Sequence, residues 1–467
     1  MRIASIDQGT TSTRCLVVDD SGAWHVAAAI RHKQFHPHPG HVEHDGEELI
    51  ANIRTVLAKA GPVDAVALAN QGESCLAWDA KTKEPLSPVI VWQDSRTSAD
   101  LLTLPADAEA ISKRICGLPL DPYFSASKLA WLLKNNSDVK AAYKAGRLKL
   151  GTTDAFFLDR LCDNFATDCA TASRTGLMDL QTLSWSEELC ELHNVPIECL
   201  PEIHPVDAGF GMIDGKPLQV SIVDQQAALY GHNCRKPGDC KITFGTGAFL
   251  LALTGCERPE TGKLLPTVAW QKNNDKAFFA VEGGVYDAGA ALEWARKIGL
   301  FTDMSELAGF SGPSAISRGL SFVPAISGLA APYWDRQAAC SFIGMVHATD
   351  KRDMVRAILE GIALLTTKLI ENTSEIVPLN NTISIDGGLS QNAYFAQFLA
   401  SASGRTIIVP QMHELTAFGL AELCGVTIEG IRERPAIYKP DGSVSNQDHL
   451  LFDSAIQRSC KWHDVNH

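Results

Sequence analysis

Two stretches of the chain carry residues suited to handling phosphate. In the first, Ile3, Ala4 and Ile6 lead to Asp7, a Gln8-Gly9-Thr10-Thr11-Ser12 turn follows, and Arg14 to Asp19 returns in an extended, β-branched-rich pattern. Gly9 permits close backbone approach, the amides and hydroxyls of Thr10, Thr11 and Ser12 can wrap phosphate oxygens, and Asp7 suits a hydrated Mg²⁺. Taken alone, the pattern more often describes a polar surface hairpin, because Ser and Thr are common in turns. The second stretch repeats the device: Lys241 to Phe244 runs into Gly245-Thr246-Gly247 and returns as Ala248 to Leu253. Two matching turns can grip one polyphosphate from both sides, which moves the reading from surface hairpin to phosphate clamp.

The elements that position these turns follow from the apolar patterning. Val63 to Asn70 is a short buried-strand run that ends abruptly in Gln71-Gly72-Glu73. Val89 to Trp92 repeats the arrangement before Gln93-Asp94, and Leu218 to Val223 ends where Asp224-Gln225-Gln226 opens a helix. In α/β sheets, ligands gather at such carboxyl ends. Thr382 to Asp386 is another strand, followed by Gly387-Gly388, where adenine and ribose can lie against bare backbone. Helices are expected after Asp45, from about Ala288 to Ile298, and from Asp350, where Met354, Val355, Ile358, Leu359, Ile362 and Leu365 share one face. The hairpin order recurs on both sides of Asn233 to Asp239, a hinge containing Pro237 and Gly238. The predicted fold is α/β, with two actin-like (ribonuclease H-like) ATPase domains around a central nucleotide cleft. The expected limits are 1–233 and 234–439, with 440–467 a peripheral tail.

At 467 residues the chain exceeds the ~250–300 at which a single core stops growing, consistent with two domains. A formal net charge of −13 opposes nucleic acid or an anionic membrane as the main partner. No apolar run reaches membrane-spanning length and no export signal opens the chain, so a soluble cytoplasmic protein is expected. The thirteen cysteines lack CxxC spacing and read as reduced thiols. His36, His38, His41 and His44 lie in a Pro- and Gly-containing segment without helical ligand spacing, and read as a structured loop. Residues 167 to 178, TDCATASRTGLM, are small and hydroxyl-rich, which suits either tight packing or a loop near a site.

Several motifs together resemble the FGGY carbohydrate kinases, most closely their glycerol kinase branch. These are DQGTTSTR from Asp7, PGHVEHD from Pro39, DPYFSASK from Asp121, DQQAALYG from Asp224, TFGTGAF from Thr243, GLAAPYWD from Gly328 and DGGLSQN from Asp386. They run in family order over nearly all of residues 1 to 426. The resemblance implies phosphoryl transfer from ATP with Mg²⁺ to a small-molecule polyol or sugar, by a homodimer or homotetramer. It makes Asp224 the general base, Asp7 the Mg²⁺ ligand, and Thr10, Thr11, Ser12, Arg14 and Thr246 the phosphate contacts. Gly289, Glu293, Gly388 and Asn392 match positions that frame the nucleotide. Glu73, Tyr123, Asp224 and Gln225 match ligands of the acceptor hydroxyls, and Trp92 and Phe249 match its aromatic walls.

Two positions depart from that pattern. Glu293 stands where the resembled kinases carry Gln. Gly72 stands where they carry an Arg that donates to the acceptor, a loss worth about 1.5–3 kcal/mol of polyol binding unless another group replaces it. Gly72 also suggests extra room, hence a larger acceptor of the erythritol, xylulose or ribulose type. The competing expectation is that a neighbouring side chain restores the donor and glycerol remains the substrate. A non-catalytic nucleotide sensor is the remaining alternative, opposed by the retention of Asp7, Thr10, Asp224 and Thr246.

Overall fold

The structure is a computed structural model that describes residues 1–273, 275–427 and 434–463. Its centre is two mixed sheets built to one plan. The first, six-stranded, runs in the order Gly211–Ile213, Lys216–Val223, Ala65–Asn70, Arg2–Gln8, Ser12–Asp19 and Trp24–Arg31. The second, seven-stranded, runs Leu265–Trp270, Phe278–Val285, Ala248–Gly255, Cys240–Phe244, Thr382–Gly387, Thr406–Val409 and Ala436–Tyr438. In each, an antiparallel hairpin continues into strands parallel to its first arm.

Residue alternation sends opposite faces of the first sheet into different cores. Ala4, Ile6, Cys15 and Val17 pack with Leu49, Ile53, Val56 and Leu57 of the helix Gly46–Lys59, which Asp45 caps through Glu47 N. Ile3, Leu16 and Val18 face the other way, into a core shared with the helices Asp224–Gly231 and Leu415–Leu423 and with Leu251, Leu253 and Phe279 of the second sheet. The two sheets therefore share buried apolar surface. In the second half, the long helix Lys351–Ile376 lays Val355, Ile358, Leu359, Ile362 and Leu365 into the largest core.

Two local readings are corrected. Only Val89–Ile90 of the segment ending at Trp92 is strand, and it belongs to a separate four-stranded sheet with Glu43–His44, Cys75–Asp79 and Leu148–Thr152. The segment after residue 440 is not peripheral. Ser445 and Asp448 form a capping box for the helix Asn446–Ser459, and Phe452, Ala455 and Ile456 on one of its faces enter the second core; residues 464–467 lie outside those described.

The helix that begins at Asp224 is fixed by a close backbone crossing. A Cβ on Gly231 would stand 2.0 Å from the Leu415 carbonyl oxygen, and one on Gly419 would stand 1.9 Å from that of Ala227. Gly419→Ala is expected to lower stability by about 1–2 kcal/mol, because forced overpacking outweighs the helix-propensity gain. Thermal and urea melts of the variant check this; an unchanged midpoint would show that the two helices part without cost.

Candidate active site

Strand register brings the chemistry to one edge. Gln8, Asn70 and Val223 are side by side across three parallel strands, so the Gly9 turn, Gln71-Gly72-Glu73 and Asp224 all emerge together. In the second sheet Phe244 is level with Gly387, so the Thr246 turn emerges beside Gly388.

Asp224 is the first residue of its helix, and its Oδ1 accepts from the Gln225 amide at 2.7 Å. Burial, reinforced by the charge of Asp7, pushes its carboxyl up to about 7. Asp7 is itself raised to about 6 by burial and by Glu414, against the opposing effect of Arg14. The Asp7 Oδ1 atom is buried without a hydrogen-bond partner among the described residues, an arrangement that fits a divalent cation. Among those residues no group of three or more His, Cys, Asp or Glu converges, so Asp7 suits a Mg²⁺ whose other ligands are water and phosphate oxygens.

Next to Asp224 lies a cavity of about 110 Å³, whose lining includes Glu73, Trp92, Tyr123, Gln225 and Phe249. Its rings form an edge-to-face set: Trp92 to Tyr123 at 5.7 Å between centroids and Trp92 to Phe249 at 6.5 Å. Phe249 comes from the second hairpin, so both halves wall the cavity. Trp92 Nε1 donates to Thr10 Oγ1 at 2.9 Å, coupling this wall to the phosphate turn. Glu73 is held at φ 58°, a left-handed backbone uncommon outside glycine, and is buried. Lys241 Nζ donates to Gln225 Oε1 at 2.5 Å and to Thr243 Oγ1 at 2.8 Å. Since an ammonium only donates, this orients the Gln225 amide and leaves its N–H groups for a ligand.

The remaining candidates are placed as follows. Thr10, Thr11 and Ser12 occupy the tip of the first hairpin, and Thr246 is exposed at the tip of the second. Arg14 is engaged with Glu414, at the start of the helix Leu415–Leu423. Gly289 meets the second tip so closely that a Cβ would stand 2.4 Å from the Gly245 carbonyl oxygen, whereas a Cβ on Gly388 would meet open space. Asn392 caps the helix Ala393–Ser403 through Phe395 N and donates to the Leu307 carbonyl, which leaves one amide N–H for a ligand. Glu293 is a surface residue paired with Arg296 at 2.7 Å. A Cβ at Gly72 would lie 2.9 Å from Val223 Cγ2 and meet no other heavy atom within 4 Å among those described. Among the loop histidines, His44 is buried against Gln71 at 3.2 Å, a structural role.

Sequence reading missed Arg174, Glu282 and Lys241. Arg174 lines the cavity, its side chain 2% exposed; Nε donates to Glu73 Oε1 at 2.6 Å and Nη2 to Glu282 Oε1 at 2.9 Å. Burial works against this charge, but Glu282 and Glu73 more than restore it, leaving the guanidinium more firmly protonated than usual. The available signal was one lone charge in each apolar or small-residue stretch: Arg174 in CATASRTG, Glu282 in FFAVEGGV and Lys241 in CKITF.

The N-terminal domain model of the FGGY family of carbohydrate kinases matches residues 2–222, and the C-terminal domain model matches 240–428. The chain is 36% identical to a glycerol kinase of Haloferax volcanii, with 98% of each covered, and 37% identical to one of Saccharopolyspora erythraea, with 91% and 90% covered. The fold overlays a Plasmodium falciparum glycerol kinase solved with ADP at a TM-score of 0.89, 29% identity and 98% coverage of each chain. A ligand-bound xylulose kinase from Lactobacillus acidophilus shares the fold at TM-score 0.83 and 21% identity, with 99% of this chain and 98% of that one covered.

Proposed function

Because the chain belongs to the FGGY family of carbohydrate kinases, two-domain actin-like enzymes that transfer phosphate from ATP, with Mg²⁺, to an alcohol, we propose that its acceptor is glycerol or a polyol of similar size. The size of the cavity carries this reading. About 110 Å³ lined by Trp92, Tyr123 and Phe249 is well below the ~300 Å³ at which sites for drug-sized ligands begin, and Val223, which also lines it, stands against Gly72. The likeness to glycerol kinases points the same way.

In this reading Glu73, Tyr123 and Gln225 hold the acceptor hydroxyls, while Trp92 and Phe249 enclose its carbon chain. The turns at Thr10-Thr11-Ser12 and at Thr246 hold the phosphates from opposite sides, and Gly388 and Gly289 leave backbone open to the nucleoside. Arg14 engages Glu414 through Nη1 and keeps Nε and Nη2 as donors for the phosphates. Asp7 would hold Mg²⁺, which when bound would supply positive charge against the phosphate oxygens. Asp224 accepts the acceptor proton as the hydroxyl oxygen bonds to the γ-phosphorus and the bond from that phosphorus to the ADP oxygen breaks. Its raised affinity for protons suits it to remove one from an alcohol near neutral pH. Shared walls from both halves exclude water from this transfer.

A coupled assay of ADP release across three-, four- and five-carbon polyols and ketoses is expected to give its highest kcat/KM with glycerol. A clear preference for a five-carbon ketose would overturn the assignment. Asp224→Asn is expected to fold and retain nucleotide binding while losing at least about 10²-fold in kcat, the lower range for a general base. Near-normal turnover would remove Asp224 from that role. Since protonated Asp224 cannot accept a proton, kcat/KM should fall as pH drops through about 7 and level off above it; a flat profile from pH 5 to 8 would contradict this.

A further inference from the structure

The missing arginine at Gly72 leaves the acceptor pocket short of a charged donor unless the fold supplies one from elsewhere. We propose that Arg174 is that donor, with Nη1 hydrogen-bonding a hydroxyl of the polyol. This rests on the polyol kinase reading above and adds a specificity-determining residue to it.

Three observations converge. The guanidinium lines the same cavity as Asp224 and Gln225, and it is fixed in orientation by two carboxylates from opposite halves of the protein: Glu73 at 2.6 Å and Glu282, on the strand Phe278–Val285, at 2.9 Å. Its centre also lies 5.8 Å from the Tyr123 ring, so one group is packed among several acceptor candidates. With Nε and Nη2 engaged, Nη1 is buried and has no hydrogen-bond partner among the described residues. A buried charged N–H without a partner is costly, and a planar fork held at two points presents its third nitrogen at little further entropic cost. Finally, an arginine could not be added at residue 72 without displacing Val223, whose Cγ2 would stand 2.9 Å from the new Cβ. The pocket is therefore shaped around a donor arriving from residue 174.

A donor aimed at one hydroxyl differs from a strut in how it treats analogues that lack the hydroxyl. A site built to hydrogen-bond a substrate group rejects the analogue without it, because its own buried group is then left unpaired. The test uses kcat/KM for glycerol, propane-1,2-diol and propane-1,3-diol with the wild type and Arg174→Lys. Lysine keeps a cation for Glu73 and Glu282 but has no planar fork with a nitrogen to spare. Arg174→Lys is expected to lose about 10- to 150-fold on glycerol, the range for one charge-assisted hydrogen bond, with the KM for ATP unchanged. It should lose less than threefold on the diol lacking the contacted hydroxyl, so that discrimination between triol and diol collapses. Equal losses on all three alcohols, or retained discrimination, would make Arg174 a structural strut and overturn the proposal.

A crystal structure of the wild-type protein with glycerol decides the matter even if the variant fails to fold. An Nη1-to-hydroxyl distance within 3.2 Å supports the contact, and an intervening water or a longer separation refutes it. Should the wild type use a larger alcohol and reject glycerol, the acceptor assignment fails by itself. Arg174 is then judged by the same comparison on that alcohol and its deoxy analogues.

Discussion

The site depends on the register of three parallel strands. With Gln8, Asn70 and Val223 level with one another, the residues that follow each strand leave the sheet at one line. A one-residue slip in any strand would send its apolar set to the wrong face and carry its polar end out of reach of the others. The register is held because both faces are buried: Ala4 and Ile6 pack toward one core, Ile3 and Ala65 toward the other. The geometry of the candidate site is thus a by-product of ordinary core packing, and its cost lies in burying two carboxyls: burial and Glu414 raise Asp7, while burial and the charge of Asp7 raise Asp224.

The parts of this arrangement that rest on periodicity were legible in the sequence. Both hairpins, the strand ending at Asn70 and the helix opening at Asp224 follow from alternating or continuous apolar runs broken by polar or glycine-rich turns. The C-terminal helix was missed because its apolar face is thin: Phe452, Ala455 and Ile456 are set among polar residues, and their burial depends on a core built far away in the chain. Arg174 was out of reach for a different reason. It lies in a short buried segment with no period to read, and its partners are 101 and 108 residues away. A lone Arg among Ser, Thr and Ala announces that it needs a partner, without saying which.

The cavity beside Asp224 is also a place where the two halves meet. Phe249 and Glu282 from the second sheet complete a cavity whose other walls belong to the first, and Arg174 bridges Glu73 and Glu282 while Arg14 bridges to Glu414. These contacts differ in kind. The Arg14 pair is partly exposed, with side chains 39% and 19% accessible, and is weakened by water. The Arg174 pairs are dry, and a dry ion pair is costly to break from one side because the remaining charges stay buried.

That difference sets how readily each contact between the two halves is exchanged. An exposed pair such as Arg14 with Glu414 can be exchanged for phosphate oxygens at small cost, since one charge-assisted bond replaces another in a wet setting. The triad of Glu73, Arg174 and Glu282 cannot be exchanged so cheaply, because moving Glu282 away would leave the buried Arg174 Nη2 without its acceptor. The cavity beside Asp224 is thus held by dry ion pairs and the first hairpin by a partly exposed one. With Gly72 in place of an arginine, the cation in the lining of this cavity is Arg174, whose orientation is fixed by buried carboxylates from both halves, Glu73 and Glu282.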